Sequence, residues 1–452
     1  SGRPASGQRP GVGGKQIEER PEESFRMNFW GYGEGFYFAP KYSYAAGNSP
    51  VEELKDMIRA FHAEGIEVLP EFSFGDHTDL GLISRCLDYW ASEYHVDGFC
   101  VIARNEIASE LARMPLFRKR KLICSWFPES IIKENEKAPK TLLAESNDGF
   151  LYDCRRLLKG DENALAPFAA ALRKNPEGCA GLNYITNHDG FTLMDLVSYD
   201  RKHNLENGEQ ERDGSDYNVS WNCGVEGPSK KREIQQLRMR QRKNAYAMML
   251  FSQRTPMLLA GDEFGNSQNG NNNPYCHDSE LSWVDWSRYK SGGELLDFVK
   301  KGIAYRKAHR VLHQQRELKC SDVLSTGFPD LSFHGDQAWF GDFDRTNRHL
   351  GCMYSGAYAQ EEGFIYIAYN FHWSEQDFAL PLLPRKQSWY KVMDTSQKDS
   401  FAQEVQQECL GDARSFSVPA RTIVILEGRE HETESVKNDN TSENKRPSED
   451  HH

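Results

Sequence analysis

From Asn28 to about His309 the chain alternates helix-patterned and strand-patterned stretches, and no other feature constrains its fold as strongly. Pro50 opens a helix in which Val51, Leu54, Met57, Ile58 and Phe61 recur at helical spacing, and Gly65 closes it. Residues 66–74 then read as a buried strand. Leu80, Ile83, Leu87, Trp90 and Tyr94 mark a second amphipathic helix, which leads into a strand over 96–103. Further strands are expected at 121–127, 142–145, 181–186 and 256–260, with helices over 161–174, 230–252 and 293–309. Six βα steps predict an α/β fold, a parallel sheet covered by helices. Beyond about residue 320 the texture changes to the runs FIYIAYNFHW, SWYKVMD and SFSVPARTIVIL, the pattern of an antiparallel β-sandwich.

The 452 residues, 38% of them hydrophobic and 12% aromatic, can bury the cores of two domains. The expected division is a barrel-like domain over 28–315 and a sandwich over 316–428, between a disordered leader at 1–27 and a disordered acidic tail at 429–452. A formal net charge of −12 argues against a nucleic-acid partner. No apolar run approaches the roughly 18 residues of a membrane span, and no signal-peptide pattern precedes the first helix. The ten cysteines form no C-x-x-C pair and signal neither zinc nor a disulfide framework. Reduced thiols and a cytoplasmic location are the expectation.

The densest motif signal runs from Asn183 to Trp286: YITNHDGFTLMDLVSY, KHN-x-x-NGE, DG-x-x-x-N-x-SWNCG-x-EG and GDEFGNSQNGNNNPYC. With NFWGYGEGFYFAP and EYHVDGF upstream, these words resemble the isoamylase and glycogen-debranching subgroup of glycoside hydrolase family 13, the α-amylase superfamily. The resemblance covers nearly the whole patterned chain. It implies an eight-stranded (β/α) barrel, with its sugar cleft at the C-terminal ends of the strands, followed by the sandwich. Six strands where the family has eight read as a member lacking the first two strands. An open sheet edge of that kind invites aggregation or a protein partner.

Retaining hydrolysis of a glycosidic bond needs a carboxylate nucleophile and a carboxylic acid about 5 Å apart, and the resemblance implies a third carboxylate that holds the sugar hydroxyls. Where the family writes G-F-R-F-D this chain has Gly98-Phe99-Cys100-Val101-Ile102, so Ile102 stands at the nucleophile position and Cys100 at that of its orienting Arg. Where the family writes A-E-P-W-D, Cys124-Ser125-Trp126-Phe127-Pro128 follows the strand, and Ser125 stands for the acid. A serine hydroxyl titrates far above neutral and cannot protonate a leaving group in time. The third carboxylate is retained as Asp189, next to His188; it either contacts sugar or closes a structural turn. The first family motif is degraded to Glu71, Gly75, Asp76 and a displaced His77, and about twenty residues separate it from His95, which predicts a shallow cleft.

Glu145, Asp148, Asp97, Asp262 and Glu263 lie near strand ends and are candidates to replace the lost carboxylates, although all read more naturally as scaffold. The Asn-rich loop 266–273, with Asn271, either offers amides to sugar hydroxyls or is held by turn chemistry. Trp30, Tyr32, Trp221 and Tyr275 either stack on glucose rings or belong to the core. Asp213-Gly-Ser-Asp-Tyr-Asn218 lacks the spacing of a calcium loop, so no metal and no cofactor are expected.

Three functional readings follow. The first is a debranching-family protein that binds glycogen or starch without hydrolysing it, or modulates a protein partner. The second is an α-1,6-glucosidase using displaced carboxylates, and the third a non-binding structural subunit or decayed gene product.

Overall fold

The computed structural model describes residues 27–32, 35–136, 142–175 and 177–430. Apart from Met27, the leader expected over 1–27 lies outside the described residues, as do residues 431–452 of the expected tail.

Six parallel strands form one sheet in chain order, β1 (Glu71–Ser73), β2 (Gly98–Ile102), β3 (Lys121–Cys124), β4 (Leu143–Ser146), β5 (Ala180–Asn183) and β6 (Thr255–Pro256). Among the described residues, no strand pairs with the outer edge of β1 or of β6. The helices before, between and after the strands are α1 (Pro50–Ala63), α2 (Leu80–Glu93), α3 (Asn105–Arg113), α4 (Glu129–Asn135), α5 (Asp148–Lys159), α6 (Leu165–Arg173), α7 (Leu193–Leu196), α8 (Arg232–Leu250), α9 (Arg288–Ser291) and α10 (Gly293–Ala308). Local chemistry sets several boundaries. The Asp79 carboxylate accepts from the Gly81 and Leu82 amides at the start of α2, the Asn147 side chain caps α5, and Gly160, at φ +90°, ends α5 in the left-handed region.

The edge strands are shorter than the pattern predicts. The strand expected over 66–74 contracts to Glu71–Ser73 because Pro70 has no N–H to give the ladder. Its carbonyl still accepts from the Cys100 amide at 3.0 Å. β6 is likewise short, although the Met257 amide just past it still donates to the Asn183 carbonyl at 2.8 Å.

Side chains alternate across each strand. Phe99 and Val101 of β2, Leu122 of β3 and Leu143 of β4 pack beneath α1 to α4 in one core that also holds Ile83, Leu87, Trp90 and Leu111. The opposite face carries Glu71 and Ser73, their neighbours Cys100 and Ile102, and then Ile123 and Ala144. That face lines the candidate site.

The C-terminal part contains a six-stranded antiparallel sheet in the order β12-β11-β14-β9-β8-β7, and a two-stranded sheet β10-β13. These strands are β7 (Leu331–His334), β8 (His349–Ser355), β9 (Phe364–Asn370), β10 (Gln376–Ala379), β11 (Gln387–Asp394), β12 (Glu408–Cys409), β13 (Ser415–Val418) and β14 (Thr422–Glu430). Every residue of β9 is buried. Ile365, Ile367 and Tyr369 point into a core shared with α5, α6, α8 and α10, while Phe364, Tyr366 and Ala368 point into the core facing β10 and β13. A strand covered on both faces needs apolar residues at every position, hence the unbroken run FIYIAY. The tail expected to begin at 429 starts later, since Arg429 and Glu430 belong to β14 and pair with β11.

Helix α8 ties the two parts together. Lys243 is buried, and its ammonium donates to the carbonyls of Gln397 and Lys398 and to the Ser400 hydroxyl, and ion-pairs with Glu294. Asn244 donates to the Arg421 carbonyl at 2.8 Å.

Candidate functional site

On the sheet face opposite the helices, where Glu71 opens β1 beside Cys100 in the middle of β2, a compact polar cluster forms around Glu71. Oε1 of Glu71 accepts from the Tyr32 hydroxyl at 2.5 Å, and Oε2 accepts from the Cys100 thiol at 3.2 Å. Nε2 of His188 lies 3.0 Å from the Tyr32 hydroxyl and 3.3 Å from Glu71 Oε1. The single phenol proton points at Glu71, so the imidazole N–H donates to the phenol oxygen. The Tyr32 and His188 rings stack with centroids 5.6 Å apart at 13°, and Trp30 stands edge-on to His188 at 5.6 Å. Burial and the adjacent Glu71 carboxylate push the Tyr32 phenol well above its ordinary range, and burial does the same to the Cys100 thiol. Both therefore stay protonated, acting as donors to Glu71. Three residues far apart in the chain, Tyr32, Glu71 and His188, are thus brought together, along with Trp30 and Cys100.

Asp189 follows His188 and is exposed. No hydrogen bond or ion pair engages its carboxylate among the described residues. Ile102 ends β2, 48% exposed. Ser125 follows the last residue of β3, exposed, beside Trp126 at 48%. Of the degraded first motif, Asp76 and His77 are exposed in a turn.

The carboxylates considered as replacements are occupied elsewhere. Glu145 pairs in register with the buried Cys124, on the sheet face opposite to Ile123 and Cys100, and its Oε1 accepts from the Phe127 amide at 2.8 Å. Asp97 lies before the N-terminal end of β2, where its Oδ2 accepts from the Val68 amide and contacts His62. Asp148 accepts from the Tyr184 hydroxyl. Asp262 is buried, accepting from the Thr186 hydroxyl and the Leu193 amide, with its carboxyl pushed up to about 7 by burial. Glu263 accepts from the Gly261 amide.

The structure does not bring the other sequence candidates into this cluster as free sugar contacts. Trp221 lies under the Arg421 guanidinium, 4.7 Å from its ring centroid, and donates its backbone amide to the Leu196 carbonyl. Asn271 is 1% exposed and exchanges amide hydrogen bonds with Asn207, within a buried network that includes Asn204, Asn272 and the Asp213 carboxylate. Buried amides satisfy one another there, and the Asp213 loop is part of that network. The Tyr275 hydroxyl donates to Glu209, while its backbone carbonyl accepts from Trp30 at 3.0 Å, so it holds the aromatic segment from behind. Sequence reasoning passed over Trp126, Trp283 and Trp286, exposed at 48%, 52% and 71%. Large apolar side chains left in water are the signal that distinguishes them. No helix among the described residues is long and apolar enough to cross a membrane.

The family model for "Isoamylase, C-terminal" matches residues 332–427. The chain is 32% identical to the glycogen operon protein GlgX homolog of Mycobacterium tuberculosis, over 88% of this chain and 66% of that protein. It is 29% identical to the chloroplastic isoamylase 3 of Oryza sativa subsp. japonica, over 82% of this chain and 55% of that protein. Among solved structures it is similar to apo pullulanase from Paenibacillus barengoltzii, with a TM-score of 0.63 at 19% identity over 90% of this chain and 66% of that one. It is also similar to type I pullulanase from Bacillus subtilis complexed with maltose, with a TM-score of 0.62 at 17% identity over 88% and 59%. The chain thus spans 66% or less of the length of these proteins. Together with the six-stranded parallel sheet and the sandwich behind it, these likenesses establish that the chain belongs to the isoamylase and glycogen-debranching subgroup of glycoside hydrolase family 13.

Proposed function

We propose that this chain binds α-glucan, glycogen or starch, at the Tyr32–His188 cluster and does not hydrolyse it. One observation carries the reading: the side chains at the end of β2 and just past β3 are Ile102 and Ser125. Neither a sec-butyl hydrocarbon nor an unactivated hydroxyl supplies the nucleophile or the proton that glycosidic cleavage requires. What remains suits recognition. A stacked Tyr–His pair with Trp30 at its edge offers a flat apolar face to a glucose ring, and the unpartnered Asp189 carboxylate offers strong acceptors to sugar hydroxyls. Glu71, tied to Tyr32, His188 and Cys100, serves to fix that platform.

The competing reading, hydrolysis by displaced carboxylates, loses its leading candidate because Glu145 faces the helix layer. Ten free thiols fit a reducing, cytoplasmic setting. The test is affinity electrophoresis of the purified chain through gels with and without glycogen. Retarded migration, weakened by Tyr32→Ala, supports the proposal. Unretarded migration of folded protein would refute glucan binding and leave a structural or partner-binding role.

A further inference from the structure

A second cavity lies away from the Tyr32–His188 cluster and shares no residue with it. It has a volume of about 390 Å³ and is enclosed by α7, α8, the start of α9 and the loop around Ser267. Exposed Gln235 and Asn269 stand at its mouth. Its depth is lined by Arg238, Arg242 and Ser198, which are 6%, 7% and 4% exposed.

The hydrogen bonding of these groups is incomplete in a consistent way. Arg242 forms no ion pair, and its single hydrogen-bond contact among the described residues is Nη2 to the Met239 sulfur at 3.7 Å. Its Nε is buried without a partner, as are Nε of Arg238 and the hydroxyl of Ser198. Arg238 spends its two terminal nitrogens on the carbonyls of Asn222, Val225 and Gly227. Arg288, also lining the cavity, adds a third guanidinium, bound to Asp285 and the Gly265 carbonyl. Against these three cations stands one lining carboxylate, Asp195. Its oxygens are engaged by the Ser267 hydroxyl at 2.6 Å and the Gln268 amide at 2.7 Å.

The carboxylates of Asp262 and Glu294 act on Arg242 only through space, and a buried guanidinium with no carboxylate in direct contact is costly unless a ligand supplies a closer counter-charge. Burial lowers the Arg242 guanidinium only to about 10, so it is charged at neutral pH. A planar fork of donors beside a hydroxyl is the arrangement that recognises tetrahedral and carboxylate oxyanions. The volume falls in the range of about 300–1,000 Å³ typical of small-molecule sites.

We propose that this cavity is a binding site for a small phosphate-type oxyanion, held by Arg242, Arg238 and Ser198, either as the free ion or as the end of a sugar monophosphate.

Titration calorimetry on the full chain with inorganic phosphate, a hexose monophosphate and free glucose tests this, each compared with chloride at equal ionic strength. The expected result is one-to-one binding of a phosphate-bearing probe, weakened at least tenfold by Arg242→Met. Hexose monophosphate binding tenfold or more above inorganic phosphate assigns the sugar ester, while equal binding assigns the free ion. Because the methionine removes a buried charge that no ion pair engages among the described residues, Arg242→Met is also expected to raise the melting temperature without phosphate and to abolish its rise with phosphate. Ser198→Ala and Arg288→Gln, which leave α8 intact, should each weaken binding severalfold and keep the proposal testable if the methionine variant misfolds. No binding of any phosphate probe, or binding unchanged in Arg242→Met and Ser198→Ala, overturns it.

Discussion

Replacing Tyr32 separates the two jobs assigned to it. In Tyr32→Phe the ring and its 5.6 Å stack on His188 are kept, and only the hydroxyl that donates to Glu71 and faces His188 Nε2 is lost. A hydrogen bond to a charged acceptor contributes about 1.5–3 kcal/mol. Because the Glu71 side chain is 26% exposed, water replaces part of that loss, and a stability cost near 1 kcal/mol is expected. Glucan affinity should change less than about threefold, since the stacking face is intact. Tyr32→Ala removes the face as well. Ring geometry is worth about 0.5–1.5 kcal/mol beyond the apolar area it covers, so a loss of roughly 1–2 kcal/mol, or about 5–30-fold in affinity, is expected. Calorimetry with maltoheptaose, paired with urea unfolding of both variants, gives the two numbers independently. A Tyr32→Ala protein that stays folded and binds maltoheptaose as tightly as the parent would refute the placement of sugar at this cluster.

Asp189→Ala should weaken maltoheptaose binding by about 1–3 kcal/mol and leave the melting temperature unchanged, since nothing in the described chain engages that carboxylate; a lowered melting temperature with unchanged affinity would mark it as structural instead. Lys243→Met should cost about 3–5 kcal/mol in urea unfolding, because it strips the Gln397 and Lys398 carbonyls of a buried donor and leaves Glu294 unpaired. Asp262 gives a pH signature: its carboxyl is raised by burial from 3.8 to about 7, so the folded state binds a proton more tightly than the unfolded chain between those values. Its contribution to stability therefore grows as pH falls from about 7 towards 4, and Asp262→Asn should flatten that part of the profile, read from melting temperatures across the range.

The six βα steps were legible because amphipathic helices such as α2 announce themselves through Ile83, Leu87 and Trp90. The length of the edge strands was not. Pro70 interrupts a ladder whose apolar pattern runs on past it, and pattern alone does not register a missing N–H. Helix α8 hid its burial in the run Arg238-Met-Arg-Gln-Arg-Lys-Asn244, which reads as a solvated basic face. Lys243 and Asn244 are instead satisfied by carbonyls of the sandwich, contacts more than 150 residues away in the chain. The same distance effect separates the site candidates. Trp30, Tyr32 and His188 were within reach through family words, whereas the role of Glu71 as the common partner of Tyr32 and His188 emerges only when β1 sets it beside Cys100. Asn271 and Trp221 carry residue types that suit sugars, and no local signal tells an amide turned towards Asn207, or an indole under Arg421, from one turned to solvent.

Reducing-end release from glycogen by the purified chain tests the central claim most directly, run beside a glycogen-retention measurement on the same preparation. The account predicts retention with no new reducing ends. New reducing ends that disappear in Glu71→Gln or Asp189→Asn would contradict it, showing that carboxylates elsewhere carry out the hydrolysis despite Ile102 and Ser125.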